Sequence, residues 1–264
     1  MNIVKFNRYP GGVSHCLTMS YDDGPKDDLR LLDIFNANGI KGTFHLNSGN
    51  IFTRYPKETL AEVYAGHEIS CHMVSHPFPA DQPDMAVLAE IQEDRRALES
   101  AANYVVRGMS YPYGNYDKRV IALLRAAGIE YSRTTRATNG YTLPEDFLEW
   151  HPTCHHNGGI VEKFADFIQN DRWGRARLFY VWGHSFEFPR DDNWSMMEEF
   201  CKLAGGREDI WYATNIEIVD YANAQKSLRF SVNCDKVYNP TCTDVWFTVN
   251  GETVCCKAGQ GMTL

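Results

Sequence analysis

Apolar, β-branched runs alternate along this chain with amphipathic stretches at helical spacing, and that alternation restricts the possible fold more than any other feature. The strand-type runs fall at about 15–21, 41–46, 67–71, 104–111, 129–133, 177–183 and 210–214. The helix-type stretches fall near 27–38, 56–65, 84–102, 116–127, 160–169, 194–204 and 215–224. Strand followed by helix, repeated, predicts an α/β chain with a mostly parallel sheet. Helix ends agree: Pro56 suits a first turn, and Gly39, Gly66 and Gly128 follow the last periodic residue, where a left-handed cap is favoured. After about residue 225 the texture changes. Two alternating runs, 228–232 and 245–249, and an Asn250-Gly251 turn leading into Glu252-Thr253-Val254-Cys255 predict a small β appendage over 226–264, following a main unit over 1–225.

The polar clusters fall on this map in a pattern. Asp22-Asp23 follow the first strand, His72 and His76 the third, Tyr111-Pro112-Tyr113-Gly114 the fourth, Tyr131-Ser132-Arg133 the fifth and Gly183-His184 the sixth. Each cluster sits at a carboxyl end of a strand, and in parallel α/β barrels those ends converge on one face. Neighbouring side chains at a strand end point to different sides, so one aspartate can bind a cation while the other faces a water held by that cation. Pro77 disfavours helical geometry at His76, which puts the two histidines in a loop or a single turn. Taken singly, Asp-Asp-Gly-Pro is a turn and His184 a packed histidine; their order in one chain is what points to chemistry.

Composition narrows the partners. A net charge of −8 and a pI near 5.6 disfavour nucleic acid or an anionic membrane as partner, and neutral or cationic substrates fit better. The chain shows no signal-peptide pattern and no span of about twenty apolar residues, so it reads as cytoplasmic. Eight cysteines are too sparse for a disulfide scaffold and read as mostly free thiols. Cys234, Cys242, Cys255 and Cys256 lack the paired spacing of a zinc ribbon. Oligomeric state is not legible.

Ser20-Tyr21-Asp22-Asp23-Gly24-Pro25 resembles the first motif, T-F-D-D-G-P, of the polysaccharide deacetylases, the NodB-homology or carbohydrate esterase family 4 proteins. His72-Met73-Val74-Ser75-His76 resembles the second motif, H-[ST]-x-x-H; Tyr111-Pro112-Tyr113-Gly114 resembles the third, and Val181-Trp182-Gly183-His184 the fifth. The resemblance spans about residues 15–220. It implies a distorted, incomplete (β/α) barrel of about seven parallel strands. It also implies Asp23, His72 and His76 as ligands of a divalent metal, most commonly zinc, with cobalt, nickel, manganese or iron open to a site of this type. Asp22 would be the general base, His184 the general acid, and a backbone N–H near Tyr113 would hold the oxyanion. The reaction implied is metal-dependent removal of N-acetyl groups from a carbohydrate, with O-deacetylation as a close variant. The alternatives are an allantoinase-like hydrolysis of a small non-sugar amide and a weakened carbohydrate-binding homologue.

The chain departs from the family pattern at three places. Ser110 stands where the third motif usually has an arginine that orients the base, and Tyr111 replaces a proline. Arg133, at the end of the next strand, is positioned to replace the missing guanidinium; the other reading is a surface arginine on an outer carboxylate. Met73 replaces the hydroxyl residue between the histidines, removing a supporting hydrogen bond. Trp182 matches the position of an apolar residue of the acetyl pocket. His151-Pro152-Thr153-Cys154-His155-His156 suggests His155 and His156 as substrate contacts or a second metal site, and Tyr111 as a substrate contact.

Overall fold

The computed structural model describes residues 1–169 and 174–264. After a short strand β1 (Val4–Lys5), the segment His15–Asp22 forms β2, and every residue in β2 is buried. Burial on both faces requires cover on both, and the position of β2 in the sheet supplies it. The strands β3 (Gly42–Leu46), β4 (Glu68–Cys71), β5 (Gly108–Ser110), β6 (Tyr131–Arg133), β7 (Cys154–His155), β8 (Arg177–Gly183) and β9 (Ile210–Tyr212) all belong to its sheet, in the order β6-β5-β4-β3-β2-β8-β7. Every pairing among them is parallel. One edge of β2 pairs with β8. Along the other edge, β9 pairs with the first residues of β2 and β3 with the last. The terminal strands β6 and β7 do not pair with each other, so the sheet curls into an incomplete barrel.

Helices connect the strands: α1 (Asp28–Ala37), α2 (Ser48–Arg54), α3 (Leu60–Val63), α4 (Asp84–Ala102), α5 (Lys118–Ala126), α6 (Ile160–Gln169), α7 (Glu187–Arg190), α8 (Trp194–Ala204) and α9 (Asn215–Ser227). Asp117 caps α5 by accepting from the Val120 N–H, and Thr214 and Glu217 form a reciprocal capping box on α9. Three sequence expectations change. The stretch 56–65 breaks into a 3-10 turn at Lys57–Thr59 followed by α3. The strand expected over 104–111 contracts to β5, because Asn103 ends α4 in a left-handed cap and Val105 remains exposed. The two-residue strand β7 has no counterpart among the expected strands.

Period-two geometry divides the sheet into two chemically different faces. Leu17, Met19 and Tyr21 of β2 point outward, with Phe44, Leu46, Ile69, Met109, Phe179 and Val181, into one apolar core beneath the helices. The alternate residues Thr18, Ser20 and Asp22 point inward. There, Thr18 donates to Asn215 Oδ1 (2.9 Å) and the Asn215 amide donates to the Tyr180 hydroxyl (2.6 Å). Ser20 Oγ meets His45 Nε2 at 2.9 Å, and Thr43 and Tyr131 both donate to the Glu68 carboxyl (3.0 and 2.7 Å). The barrel interior is therefore a hydrogen-bonded polar network beside an aromatic cluster that includes Tyr131, Trp150 and Tyr180.

The C-terminal residues form two small antiparallel sheets. One contains β10 (Arg229–Phe230), β11 (Lys236–Tyr238) and β14 (Gly261–Thr263); the other contains β12 (Val245–Val249), β13 (Glu252–Cys256) and the N-terminal β1. Asn250 and Gly251 have φ of 53° and 95°, the two positive values that a tight hairpin turn with native twist requires. All eight cysteines are free thiols. Among the described residues no helix is long and apolar enough to cross a membrane.

Candidate active site

Period two carries the inward face of the barrel to its carboxyl end, and there Asp22 and Ser110 meet across the sheet. Asp22 is 3% exposed. Its Oδ1 accepts from Ser110 Oγ (3.0 Å), and its Oδ2 accepts from Nη2 of Arg133, which is fully buried. Arg133 also donates to the Thr134 carbonyl (3.2 Å), and its guanidinium lies 4.4 Å from the centre of the Trp182 ring. Burial alone would raise the pKa of Asp22, but the adjacent Arg133 charge, together with the His72, His45 and His184 imidazoles, outweighs it and holds the carboxyl far below the usual carboxylate range. Arg133 is thus not a surface arginine on an outer carboxylate.

Asp23 has a different environment. Its side chain is 29% exposed and its φ is 72°. Met73, His76 and Tyr113 also have positive φ (63°, 54° and 57°). Non-glycine residues rarely adopt this conformation, and such strain concentrates at functional sites. The strained turns are fastened from outside. Arg54 donates to the Asp23 carbonyl (2.6 Å), the Asn47 amide donates to the carbonyls of His72 and Met73 (2.7 and 3.0 Å), and Asp94 of α4 accepts from the His72 N–H (3.0 Å). Burial lifts the Asp94 carboxyl to about 6. Met73 itself is buried in the outer core, so the loop is supported instead by Asn47, a residue to which no sequence motif points.

His72 and His76 occupy a loop after β4. His72 Nδ1 lies 2.9 Å from the Ser110 carbonyl and 2.7 Å from its hydroxyl. A carbonyl can only accept, so the ring proton sits on Nδ1 and the Nε2 lone pair faces the site. That Nε2 is 3.7 Å from Asp23 Oδ1, and His76 Nε2 is 3.8 Å from the same oxygen. These separations are too long for hydrogen bonds. They are close to the roughly 3.4 Å between ligand atoms bound about 2.1 Å from a tetrahedral ion. One ligand atom from each of Asp23, His72 and His76 lies within 4.8 Å of the other two. The donor set of one carboxylate and two imidazoles therefore fits a divalent cation.

His184, the residue after β8, faces this group, with Nε2 3.9 Å from Asp22 Oδ2 and 4.0 Å from Asp23 Oδ2. Its other nitrogen, Nδ1, is 3.4 Å from Oε2 of Glu187, which also accepts from the His184 backbone N–H (3.0 Å). Burial disfavours the charged imidazole, but Glu187 and the two aspartates together raise its pKa above the ordinary histidine value. Sequence reasoning misses Glu187; its only signal there is its position three residues after His184, at the start of a helical turn.

The remaining candidates are placed less uniformly. Trp182 is half-buried over Arg133 at the site wall. Tyr113 is 57% exposed, stacked 4.0 Å from Phe78 and edge-on to His76. Tyr111, expected as a substrate contact, is 1% exposed, donates its hydroxyl to the Leu148 carbonyl (2.7 Å) and stacks on Tyr116, so it packs away from the cleft. His156 is likewise 1% exposed and cannot line a cleft, while the half-buried His155 directs Nε2 at Glu187 (3.0 Å).

At the open end of the parallel barrel there stand a carboxylate–bis-histidine set, an ion-paired aspartate and a facing histidine. Residues 11–132 match the family model of the polysaccharide deacetylases. Chitin deacetylase 1 of Cryptococcus neoformans is 30% identical over 135 residues, covering 50% of this chain and 28% of that protein. The chain thus aligns with under a third of that relative's length. A Mycobacterium smegmatis structure named for the polysaccharide deacetylases superposes with a TM-score of 0.62 at 19% identity, covering 83% of this chain and 93% of that one. A CE4-family pseudoenzyme from Bacillus anthracis shares the fold at a TM-score of 0.51 and 13% identity, covering 78% of this chain and 66% of that one. Fold by itself therefore does not decide activity.

Proposed function

We propose that this protein is a metal-dependent hydrolase that removes N-acetyl groups from a carbohydrate. The observation that carries the reading is the set of lone-pair atoms on Asp23, His72 and His76, which converge without bonding one another, beside an ionised Asp22 and opposite His184. Asp23, His72 and His76 would hold the divalent ion, zinc suiting two imidazoles and a carboxylate best. When bound, such an ion polarises a carbonyl and makes water a nucleophile near neutral pH.

The side chains divide the remaining work. Asp22, kept ionised by Arg133 and fixed by Ser110, takes the proton of the attacking water as its oxygen bonds to the acetyl carbon. The Tyr113 backbone N–H, in its left-handed turn, is the donor offered to the oxyanion of the tetrahedral intermediate. His184 gives the Nε2 proton to the departing nitrogen as the C–N bond breaks, leaving amine and acetate. Trp182, immobilised on Arg133, walls the acetyl side. Exposed aromatics flank both ends of the site, Phe78 and Tyr113 near His76 and Phe186 beside His184. Such rings suit the apolar faces of sugars, which favours a carbohydrate over a small cyclic amide.

The test is acetate release from N-acetylglucosamine oligomers by protein supplied with zinc, cobalt or manganese, compared with Asp22→Ala and His184→Ala. Each substitution is expected to lower the rate by about 100-fold or more, the range of general acid–base groups. Undiminished release in either variant would contradict the assigned roles, and hydrolysis of a cyclic amide in place of the sugar would move the substrate class.

A further inference from the structure

We propose that Glu187 is the positioning residue of His184, and that His155 and His156 in turn hold Glu187. The inference rests on the deacetylase reading for its kinetic consequence, but its geometry stands apart from it. Glu187 Oε2 is the meeting point of three imidazoles: His155 Nε2 at 3.0 Å, His156 Nε2 at 3.4 Å and His184 Nδ1 at 3.4 Å. The same oxygen accepts the His184 backbone N–H at 3.0 Å, while Arg190 Nη2 stands 3.4 Å from Oε1. The carboxylate is therefore tied to the backbone of the residue whose ring it faces. With Nδ1 turned to Glu187, the opposite ring nitrogen points at Asp22 and Asp23.

The cluster is built by the strand register. His155 on β7 is paired with Trp182 on β8, two residues before His184. His156 stacks between Tyr21 and Phe188, with ring centres at 5.8 and 4.4 Å. Its ring also fills the space beside Gly183, where an added Cβ would lie 2.1 Å from His156 Nδ1. Residue 183 must therefore be glycine for His156 to reach Glu187. A second cation held by His155, His156 and Glu187 is the competing explanation, since their ligand atoms lie within 4.8 Å of each other. The tautomer of His155 argues against it. Its Nδ1 accepts the Asn157 N–H (3.2 Å), so the proton resides on Nε2 and is donated to Glu187, leaving no lone pair there for a metal.

In the reaction, Nδ1–H stays with Glu187 while Nε2–H passes to the leaving nitrogen, which keeps the electron pair of the broken C–N bond. At 3.4 Å the Nδ1 contact falls outside hydrogen-bond geometry and Nδ1 has no other hydrogen-bond partner among the described residues, so it is this contact that has to tighten when substrate binds, as catalytic hydrogen bonds often do. A leaving group that needs no proton should depend on this arrangement much less than an amine does.

The test uses the full chain with Glu187→Gln and Glu187→Asp. Two-dimensional ¹H–¹⁵N NMR of the histidine rings should show His184 protonated at Nδ1 in the native protein, with that signature lost or altered in E187Q and recovered in part in E187D. With metal bound, kcat for amide deacetylation should fall in E187Q by about 10–100-fold, the range for residues that orient a catalytic group. The fall should be at least about tenfold larger than for 4-nitrophenyl acetate, with KM little changed. An unaltered His184 tautomer in E187Q, or equal losses on amide and ester, would overturn the proposal. So would a second equivalent of zinc that is bound by the native protein and lost in His156→Ala. If the native protein hydrolyses neither substrate yet shows the Glu187-dependent tautomer, the deacetylase reading fails and the positioning role stands.

Discussion

The two faces of one sheet show how differently a protein can use the same strands. Outward residues of β2, β3 and β8, such as Tyr21, Phe44 and Phe179, enter an apolar core that asks only for volume and shape. Inward residues of the same strands, Ser20, His45 and Trp182, are polar or amphipathic and are tied by named hydrogen bonds or a cation–π contact. The outer face holds the barrel together, and the inner face sets the height and charge of the side chains at its open end. Asp22 is the last inward residue of β2, and its neighbour Asp23, one step on, leaves the strand in a left-handed turn. Two adjacent carboxylates thus acquire opposite environments, one buried and ion-paired, the other accessible and flanked by imidazoles.

The largest effect should come from severing the inner face at its top. Arg133→Ala leaves the Asp22 carboxylate buried without its counter-charge, which is expected to cost about 3–5 kcal/mol of stability and to abolish most deacetylation. Chemical denaturation together with acetate release would check both, and a variant with native stability and full activity would break the account. On the outer face, Phe179→Ala should cost a similar 3–5 kcal/mol through the cavity left among Phe164, Phe167 and Phe200. Its activity, measured well below its melting temperature, should stay within a few-fold of native. A selective loss of activity in Phe179→Ala would erase the division between the faces.

A smaller effect tests the polar interior through pH. Burial raises Glu68 to about 7, so its proton is held more tightly in the folded than in the unfolded chain. Stability from this group is therefore full below an unfolded pKa near 4.5 and is lost as pH rises toward 7. Glu68→Gln cannot titrate, so its stability relative to native should rise by about 2 kcal/mol between pH 5 and pH 8. A difference independent of pH would show that Glu68 is not held protonated in this interior.

The outer face and the strand ends are largely legible in the sequence, because both leave periodic and local signals. Seven of the strand positions and the clusters at Asp22-Asp23, His72 and His76, and His184 follow from residue pattern and spacing alone. The polar interior does not. Thr18 and Ser20 look like ordinary strand residues, and their partners Asn215 and His45 are revealed only by the register. Arg133 is singled out by the missing arginine at Ser110, but its contact depends on how far β6 curls toward β2. Glu187 stays hidden because its role arises where β7, β8 and α7 meet, and Tyr111 is misplaced because motif position does not say which way a ring packs. The pairing of β1 with β12 joins the two ends of the chain, a distance over which no local pattern operates.

The most direct measurement is the metal content of the purified protein by mass spectrometry, run beside an Asp23→Ala, His72→Ala double variant prepared identically. About one divalent ion per native chain, lost in the double variant, is the predicted result. A native protein that takes up no zinc, cobalt or manganese after soaking would contradict the assignment of Asp23, His72 and His76, and a double variant that keeps its ion would place the metal elsewhere.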